Sequence, residues 1–99
     1  MRRLGLKKVG LYMIHWPGFL VQTFANDEFL RGLALSKQLG LCDAVGVSNF
    51  NAERLRRSQE LLAREFPGTS IAANQVQYSL LYRAPENNGV LDACRHAPP

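Results

Sequence analysis

The sequence predicts an α/β fold in which three parallel strands alternate with helices. Three short apolar runs are separated by longer segments whose apolar residues recur with helical spacing. His15, Ser48 and Gln75 lie near the ends of these runs and are 33 and 27 positions apart. A βαβ unit takes roughly 30 residues, so this spacing favours parallel strands joined by crossover helices.

The first unit begins with Val9–His15, a continuous apolar run that predicts a strand buried on both faces. A helix is predicted over Asn26–Leu39, because Asn26 can act as its N-cap and two acids follow at the positive end of the helix dipole. Gly40 stands where a left-handed C-cap is needed. The inner face of this helix is predicted to carry Phe29, Leu30, Leu33 and Ala34.

The second unit begins with a short strand in Asp43–Phe50, which is apolar at its centre and polar at its end. Asn51 can then cap a helix that Pro67-Gly68 ends. The inner stripe of that helix is predicted to consist of Leu55, Leu62 and Phe66.

The third unit contains a strand candidate in Ser70–Leu80, which also becomes polar toward its end. Pro85–Arg95 is predicted to start a third helix. Pro98 and Pro99 would prevent that helix from continuing.

The charge pattern argues against nucleic-acid binding, although the net charge is +4. Four of the nine arginines fall within residues 51–65, where the i,i+4 pairs Glu53–Arg57 and Glu60–Arg64 predict a solvated helix face held by ion pairs. No aromatic residues alternate with these arginines to stack on bases. We therefore expect no nucleic-acid partner.

Composition indicates a folded, soluble intracellular chain. Apolar residues make up 46% of the sequence, which is typical of a globular protein. No stretch approaches the roughly 20 apolar residues of a membrane span, and no signal-peptide core follows the basic start. Cys42 and Cys94 lack C-x-x-C spacing, so two reduced thiols are expected rather than a disulfide.

Polar side chains gather at the carboxyl ends of all three predicted strands: His15-Trp16, Ser48-Asn49, and Asn74 to Tyr78. In parallel α/β folds these strand ends form the edge where ligands bind. The set is rich in neutral hydrogen-bonding groups, which suits an amide or a carbonyl. The sequence has no phosphate-binding glycine motif and no metal-ligand spacing, so no metal is expected.

Each of these groups also has a purely structural interpretation. His15 could be a satisfied core histidine, and Ser48-Asn49 could be a strand-to-helix turn with Asn51 capping the helix. The Gln and Asn residues that follow the third strand could satisfy loop backbone. The residues alone leave these alternatives open.

Three ordered motifs, LYMIHWPG, GVSNF and NQVQYSLLYR, resemble strands four, five and six of an aldo-keto reductase barrel. The resemblance begins at RRLGL and continues through NGVLDAC. It implies part of a (β/α)8 TIM barrel, with about three βα units, from an oxidoreductase that reduces an aldehyde or ketone with NADPH. Residues 1–99 would then be a fragment of one such domain, incomplete at both ends.

The resemblance also implies roles for individual residues. His15 matches the histidine of the family's catalytic tetrad, which orients the substrate carbonyl. Ser48 and Asn49 match the pair that hydrogen-bonds the nicotinamide carboxamide of the cofactor, and Gln75 matches the third member of that clamp. Trp16 is expected to line the substrate pocket.

The family's catalytic Tyr, Lys and Asp lie on earlier segments and have no counterpart here. The isolated chain is therefore expected to be inactive, with a small carbonyl compound as the substrate of the complete protein. The alternative is a non-catalytic barrel fragment that acts as a binding or regulatory partner. The compartment stays open between the cytoplasm and, if a transit peptide is missing, a plastid.

Overall fold

The computed structural model describes residues 2–17 and 26–96. A single 3-10 turn at Arg2–Leu4 precedes a succession of strands and helices within these ranges. In chain order they are β1 Val9–Ile14, α1 Asn26–Gln38, β2 Cys42–Ser48, α2 Ala52–Glu65, β3 Ile71–Gln75, α3 Ala84–Asn87 and α4 Val90–Arg95.

The three strands form one parallel sheet in the order β1-β2-β3. Ile14 pairs with Val47, and Val47 pairs with Asn74. The register between β2 and β3 shifts once, between Val45 and Gly46. The predicted α/β class with parallel strands is confirmed.

One face of the sheet packs against α1 and α2. Val47 from β2 belongs to the main core cluster together with Leu30 and Ala34 of α1 and Leu55 and Leu62 of α2. Each of the buried valine and leucine side chains in this cluster contributes about 1.5–3 kcal/mol through the hydrophobic effect. This helix-covered face holds the fold together.

Phe29 is not part of the inner face of α1, and that prediction is wrong. Its side chain is 53% exposed, whereas Leu30, Leu33 and Ala34 are buried. Phe29 lies on the flank of α1 and lines a groove beside Tyr12, at the edge strand β1. Within the described residues, nothing packs over that flank.

The opposite face of the sheet carries small and apolar side chains that no described helix covers. Leu11 is 43% exposed on this face, which it shares with Met13. The prediction that β1 is buried on both faces is therefore wrong, because β1 lies at the sheet edge and only one face is covered by described elements. Gly46 allows close packing here, since a Cβ at that position would stand 3.0 Å from the carbonyl oxygen of Ala73.

Local signals set several helix ends as predicted. The side chain of Asn51 accepts a hydrogen bond from the Arg54 amide at 2.8 Å and caps α2. Phe66 follows that helix half-buried and packs against the core cluster, as expected for the inner stripe. Gly40 adopts φ = 70° just beyond α1, in the left-handed region.

The segment after β3 differs from its prediction in two ways. The strand ends at Gln75 rather than continuing toward Leu80, because the backbone then closes a turn in which Ser79 and Tyr82 bond each other. The predicted third helix is split into α3 and α4, since Gly89 between them adopts φ = 77°. The two prolines predicted to stop this helix, Pro98 and Pro99, lie outside the described residues.

The charged residues of α2 bond to different partners than the i,i+4 spacing predicted. Arg57 lies 3.5 Å from Asp27 of α1, and Arg64 lies 3.0 Å from Glu65. Both cysteines are free, as expected, with Cys42 buried and Cys94 exposed. Among the described residues, no helix is long and apolar enough to cross a membrane.

Candidate functional site

The sheet register brings three of the predicted site residues to the same level at its carboxyl edge. Ser48 pairs with Gln75, and His15 directly follows Ile14, the partner of Val47. Neighbouring strands lie about 4.8 Å apart, so the three backbone positions fall within roughly 10 Å along the edge. The predicted convergence of strand ends is present in the fold.

Ser48 lies at the centre of a short hydrogen-bond chain between β2 and β3. Its hydroxyl donates to the main-chain carbonyl of Gln75 at 3.0 Å and accepts from Asn49 Nδ2 at 3.0 Å. The backbone N–H of Asn49 donates to the same Gln75 carbonyl at 2.8 Å. Ser48 is only 6% exposed, so the chain is part of the packed structure.

Asn49 adopts an uncommon backbone conformation, with φ = 59°. Among non-glycine residues, Asn is one of the few that enter the left-handed region readily. The turn directs the chain from the end of β2 toward the N-cap of α2 at Asn51. The interpretation of this segment as a strand-to-helix turn capped by Asn51 is thus confirmed, and it is compatible with a binding role for Asn49.

Asn74 contacts the same turn from β3. Its Oδ1 accepts from the Phe50 amide at 3.3 Å, and its Nδ2 donates to the Phe50 carbonyl at 2.9 Å. The possibility that this polar group satisfies loop backbone is therefore correct for Asn74. The sequence placed Asn74 in the polar group, but which side of the strand it faces could be read only from the register.

Several polar groups at this edge stay available to a ligand. No hydrogen bond between described residues uses the side-chain amide of Gln75, the imidazole of His15, or Oδ1 of Asn49. Gln75 and His15 are exposed, and Asn49 is partly so. Together these groups offer both donors and acceptors without formal negative charge.

Trp16 borders a cavity of about 250 Å³ at the same edge of the sheet. Its side chain is 55% exposed. The cavity lining also includes Asn49 from the turn, and Val76 and Tyr82 from the segment after β3. Trp16 therefore lies beside an opening that reaches one of the predicted binding residues.

A charged cluster holds the segment after β3 in place. Arg83 donates to both oxygens of Glu86, with distances of 2.9 and 3.1 Å, and the Tyr78 hydroxyl donates to the same carboxylate. The hydrogen bond from Arg83, helped by that from Tyr78, lowers the pKa of Glu86, and the carboxylate in turn raises the pKa of Tyr78. Sequence analysis missed this cluster, because nothing in the local pattern pairs Tyr78 with Glu86.

The described residues contain no group of three or more His, Cys, Asp or Glu side chains placed to hold a metal ion. The edge offers amides, a hydroxyl and an imidazole instead. Such a set can orient a neutral group that both donates and accepts hydrogen bonds, and a carboxamide is the simplest example.

Comparison with known proteins places this geometry in a family. Residues 1–97 match the Aldo/keto reductase family. An aldo-keto reductase of Mycolicibacterium vanbaalenii is 46% identical over 55 residues, which cover 56% of this chain and 19% of that protein. The glycerol 2-dehydrogenase (NADP(+)) of Saccharomyces cerevisiae is 32% identical over 101 residues, covering 78% of this chain and 31% of the enzyme.

The fold of this chain also resembles solved structures of aldo-keto reductases. A thermostable aldo-keto reductase in complex with the inhibitor epalrestat superposes with a TM-score of 0.75 at 32% identity, over 97% of this chain and 32% of that one. An aldo/keto reductase from Brucella melitensis gives 0.72 at 29% identity, over 97% of this chain and 34% of that one. The chain thus spans between a fifth and a third of the length of these relatives. The predicted partial TIM barrel is confirmed.

Proposed function

The chain belongs to the aldo/keto reductase family, and we propose that it supplies the His15, Ser48 and Gln75 edge of an NADPH-dependent reductase of small aldehydes or ketones. The observation that carries this proposal is the shared level of these three residues on adjacent strands. The activity proposed is that of the whole protein, because the chain spans at most about a third of its relatives.

The residues at this edge fit the nicotinamide end of the cofactor. The carboxamide of nicotinamide donates through its NH2 and accepts through its carbonyl, and Asn49 Oδ1 and the Gln75 amide complement both functions. Ser48 would act by holding the side-chain amide of Asn49, whose Nδ2 lies 3.0 Å from the Ser48 hydroxyl oxygen. Bound there, the cofactor would supply a hydride to the carbonyl carbon, and fixing its carboxamide determines which ring face is presented.

His15 is proposed to orient the substrate carbonyl. The imidazole is exposed, and no described residue hydrogen-bonds it, so a ring N–H can donate to a carbonyl oxygen. Trp16 follows it at the cavity and would limit the size and shape of the substrate.

No residue of this chain is assigned the proton-donor role in the proposal. Tyr12 lies inside β1, Tyr78 is bonded to Glu86, and neither matches the family's proton donor in the sequence. General acid–base assistance is worth about 10²–10⁴-fold, so the 99-residue chain by itself is expected to be catalytically inactive.

The uncovered sheet face favours a second candidate function, that of a non-catalytic binding partner. Leu11 and Met13 lie on this face, and β1 and β3 are the two edges of the described sheet. Unpaired parallel strand edges are templates for further strands. In this alternative, the chain would associate with another barrel polypeptide that adds strands to these edges.

An NMR titration of the ¹⁵N-labelled chain tests the primary proposal. We expect NADP⁺ and nicotinamide mononucleotide to shift the amide signals of Ser48 and Asn49 and the side-chain amide signals of Gln75. Adenosine 2′,5′-bisphosphate, which lacks nicotinamide, should not shift them. If both nicotinamide compounds leave these signals unchanged, or if a Gln75→Ala variant responds as the parent does, the assignment of the clamp is wrong.

A further inference from the structure

We propose that Asn74 is a positioning residue for the Ser48–Asn49 pair, and that it acts by bracketing the backbone of Phe50. The inference rests on the proposed function, since it concerns the same carboxamide-binding groups. Asn74 Oδ1 accepts from the Phe50 N–H at 3.3 Å, and Asn74 Nδ2 donates to the Phe50 carbonyl at 2.9 Å. One side-chain amide therefore binds both polar backbone groups of a single residue.

This bracket replaces the sheet hydrogen bonds that end with β2. The paired strands stop at Ser48 and Gln75, and the chain then turns toward α2. Phe50 is only 1% exposed, so its backbone groups need partners within the protein. Asn74 supplies a partner for each of them and extends the contact between β2 and β3 by two residues.

The turn needs an external restraint because Asn49 is held at φ = 59°. That conformation is disfavoured for any residue with a Cβ and persists where the surroundings fix it. On one side of Asn49, the Gln75 carbonyl accepts from both its amide and the Ser48 hydroxyl. On the other side, the bracket from Asn74 is the restraint.

Asn74 acts through the turn and not on the ligand. It pairs in register with Val47, whose side chain lies in the core on the helix-covered face, and its own side chain reaches core residue Phe50. Gln75 is the next residue, so its side chain points to the opposite face of the sheet. Two consecutive residues would thus have different roles: Gln75 would contact the nicotinamide carboxamide, and Asn74 would fix the position of Asn49.

The chain contains a matched control for this proposal. Gln59 brackets Ile71 in the same way, with Oε1 accepting from the Ile71 N–H at 3.0 Å and Nε2 donating to its carbonyl at 3.3 Å. This second bracket joins α2 to the start of β3, at the opposite end of that strand from Gln75. Removing either bracket deletes two amide-to-backbone hydrogen bonds, but only that of Asn74 adjoins the proposed binding pair.

The experiment compares Asn74→Ala, Asn74→Asp and Gln59→Ala with the parent 99-residue chain. Two quantities are measured by NMR: hydrogen exchange of the Asn49 and Phe50 amides, and the apparent Kd for NADP⁺ from shifts at Ser48. Asn74→Asp keeps the acceptor for Phe50 N–H but places a carboxylate against the Phe50 carbonyl. It serves as the test if Asn74→Ala does not fold.

We expect the backbone amides of Asn49 and Phe50 to exchange faster in the Asn74 variants. We also expect these variants to bind NADP⁺ about five- to tenfold more weakly, which corresponds to the free energy of about one hydrogen bond. Gln59→Ala should lower stability while leaving both quantities near their parent values. The proposal is overturned if Gln59→Ala weakens NADP⁺ binding as much, or if the Asn74 variants change neither quantity. If the parent itself does not bind NADP⁺, the proposed function fails, and parent-like Asn49 and Phe50 exchange in the Asn74 variants would separately overturn the bracket.

Discussion

The hydroxyl of Ser48 donates to the main-chain carbonyl of Gln75 at 3.0 Å, across the ends of two parallel strands. The backbone N–H of Asn49 donates to that same carbonyl oxygen at 2.8 Å. One carbonyl of β3 therefore fixes two consecutive residues at the end of the neighbouring strand, β2. This contact makes Ser48 part of the fold as well as part of the candidate site.

Replacing Ser48 with Ala should affect both roles. The substitution removes the donor to Gln75 and the acceptor for Asn49 Nδ2, so we expect the free energy of unfolding to fall by about 1 kcal/mol. Hydrogen exchange of the Asn49 amide should also become faster. Urea unfolding and NMR exchange measure the two effects.

The control for this prediction is Ser36→Ala. Among the described residues, the Ser36 hydroxyl bonds the Gly32 carbonyl within α1 at 2.8 Å, and this bond does not involve the strand ends. Alanine has a higher helix propensity than serine, so stability should not fall. Equal losses in both variants would contradict the special role of Ser48.

The parts of this fold that could be predicted from the sequence are those that local chemistry determines. Asn51 caps α2 because a short amide side chain reaches the helix amides next to it. Gly40 ends α1 because it lacks a Cβ that would oppose φ = 70°. The order of strands and helices follows from apolar periodicity in the same local way.

The features that sequence analysis missed depend on neighbours distant in the chain. Phe29 has helical spacing with the core residues, yet its side chain is exposed in a groove beside the edge strand β1. Asn74 could be recognised as polar, but its bond to Phe50 requires the register of β3 against β2. The shared level of His15, Ser48 and Gln75 was predicted because parallel strands with similar spacing end together.

The cap of α2 provides a second test, through Asn51→Ala. Loss of the bond to the Arg54 amide should reduce the free energy of unfolding by about 1 kcal/mol, within the usual range for an N-cap. Asn51→Asp retains an acceptor oxygen and should keep parent stability or exceed it, because a negative charge suits the helix N-terminus. Urea denaturation followed by circular dichroism compares the three chains. A destabilised Asp variant would contradict the capping role.

Gly46→Ala tests the close packing on the uncovered face of the sheet. A Cβ there would stand 3.0 Å from the Ala73 carbonyl oxygen and 3.1 Å from Met13 Cγ, and the backbone oxygen cannot move aside cheaply. We expect a loss of about 1–3 kcal/mol, as for overpacked sites. Gly10→Ala in β1 is the matched control, because a Cβ at Gly10 meets no atom within 4 Å. Equal thermal stability of the two variants would show that the crowding at Gly46 is relieved.

The 99-residue chain is expected to show no reductase activity by itself. No tyrosine of the described residues matches the family's proton donor in the sequence, and the hydroxyl of Tyr78 is bonded to Glu86. Oxidation of NADPH in the presence of a simple aldehyde, followed at 340 nm, measures this directly. Turnover that disappears in a His15→Ala variant would show that the chain is a complete catalyst and would refute the prediction.

The ion pair between the two core-covering helices makes stability depend on pH. Arg31 Nε lies 2.7 Å from Glu65 Oε2, and its Nη2 lies 3.1 Å from Oε1. The hydrogen bonds from Arg31, and then from Arg64, lower the pKa of Glu65 from 4.5 to about 2. Because the folded-state pKa lies below the unfolded value, this stabilisation is present above about pH 4.5 and is lost as the pH falls toward 2.

Arg31→Ala should therefore lower the urea unfolding midpoint near pH 7, and the difference from the parent should shrink steadily between about pH 4.5 and 2. The effect should be small and should weaken in 1 M salt, because the Arg31 side chain is partly exposed. Arg95→Ala is the control, since Arg95 and Asp92 are both well exposed and 3.5 Å apart. A loss for Arg31→Ala that is as large at pH 2 as at pH 7 would mean that packing of the arginine stem, rather than its charge, joins α1 to α2.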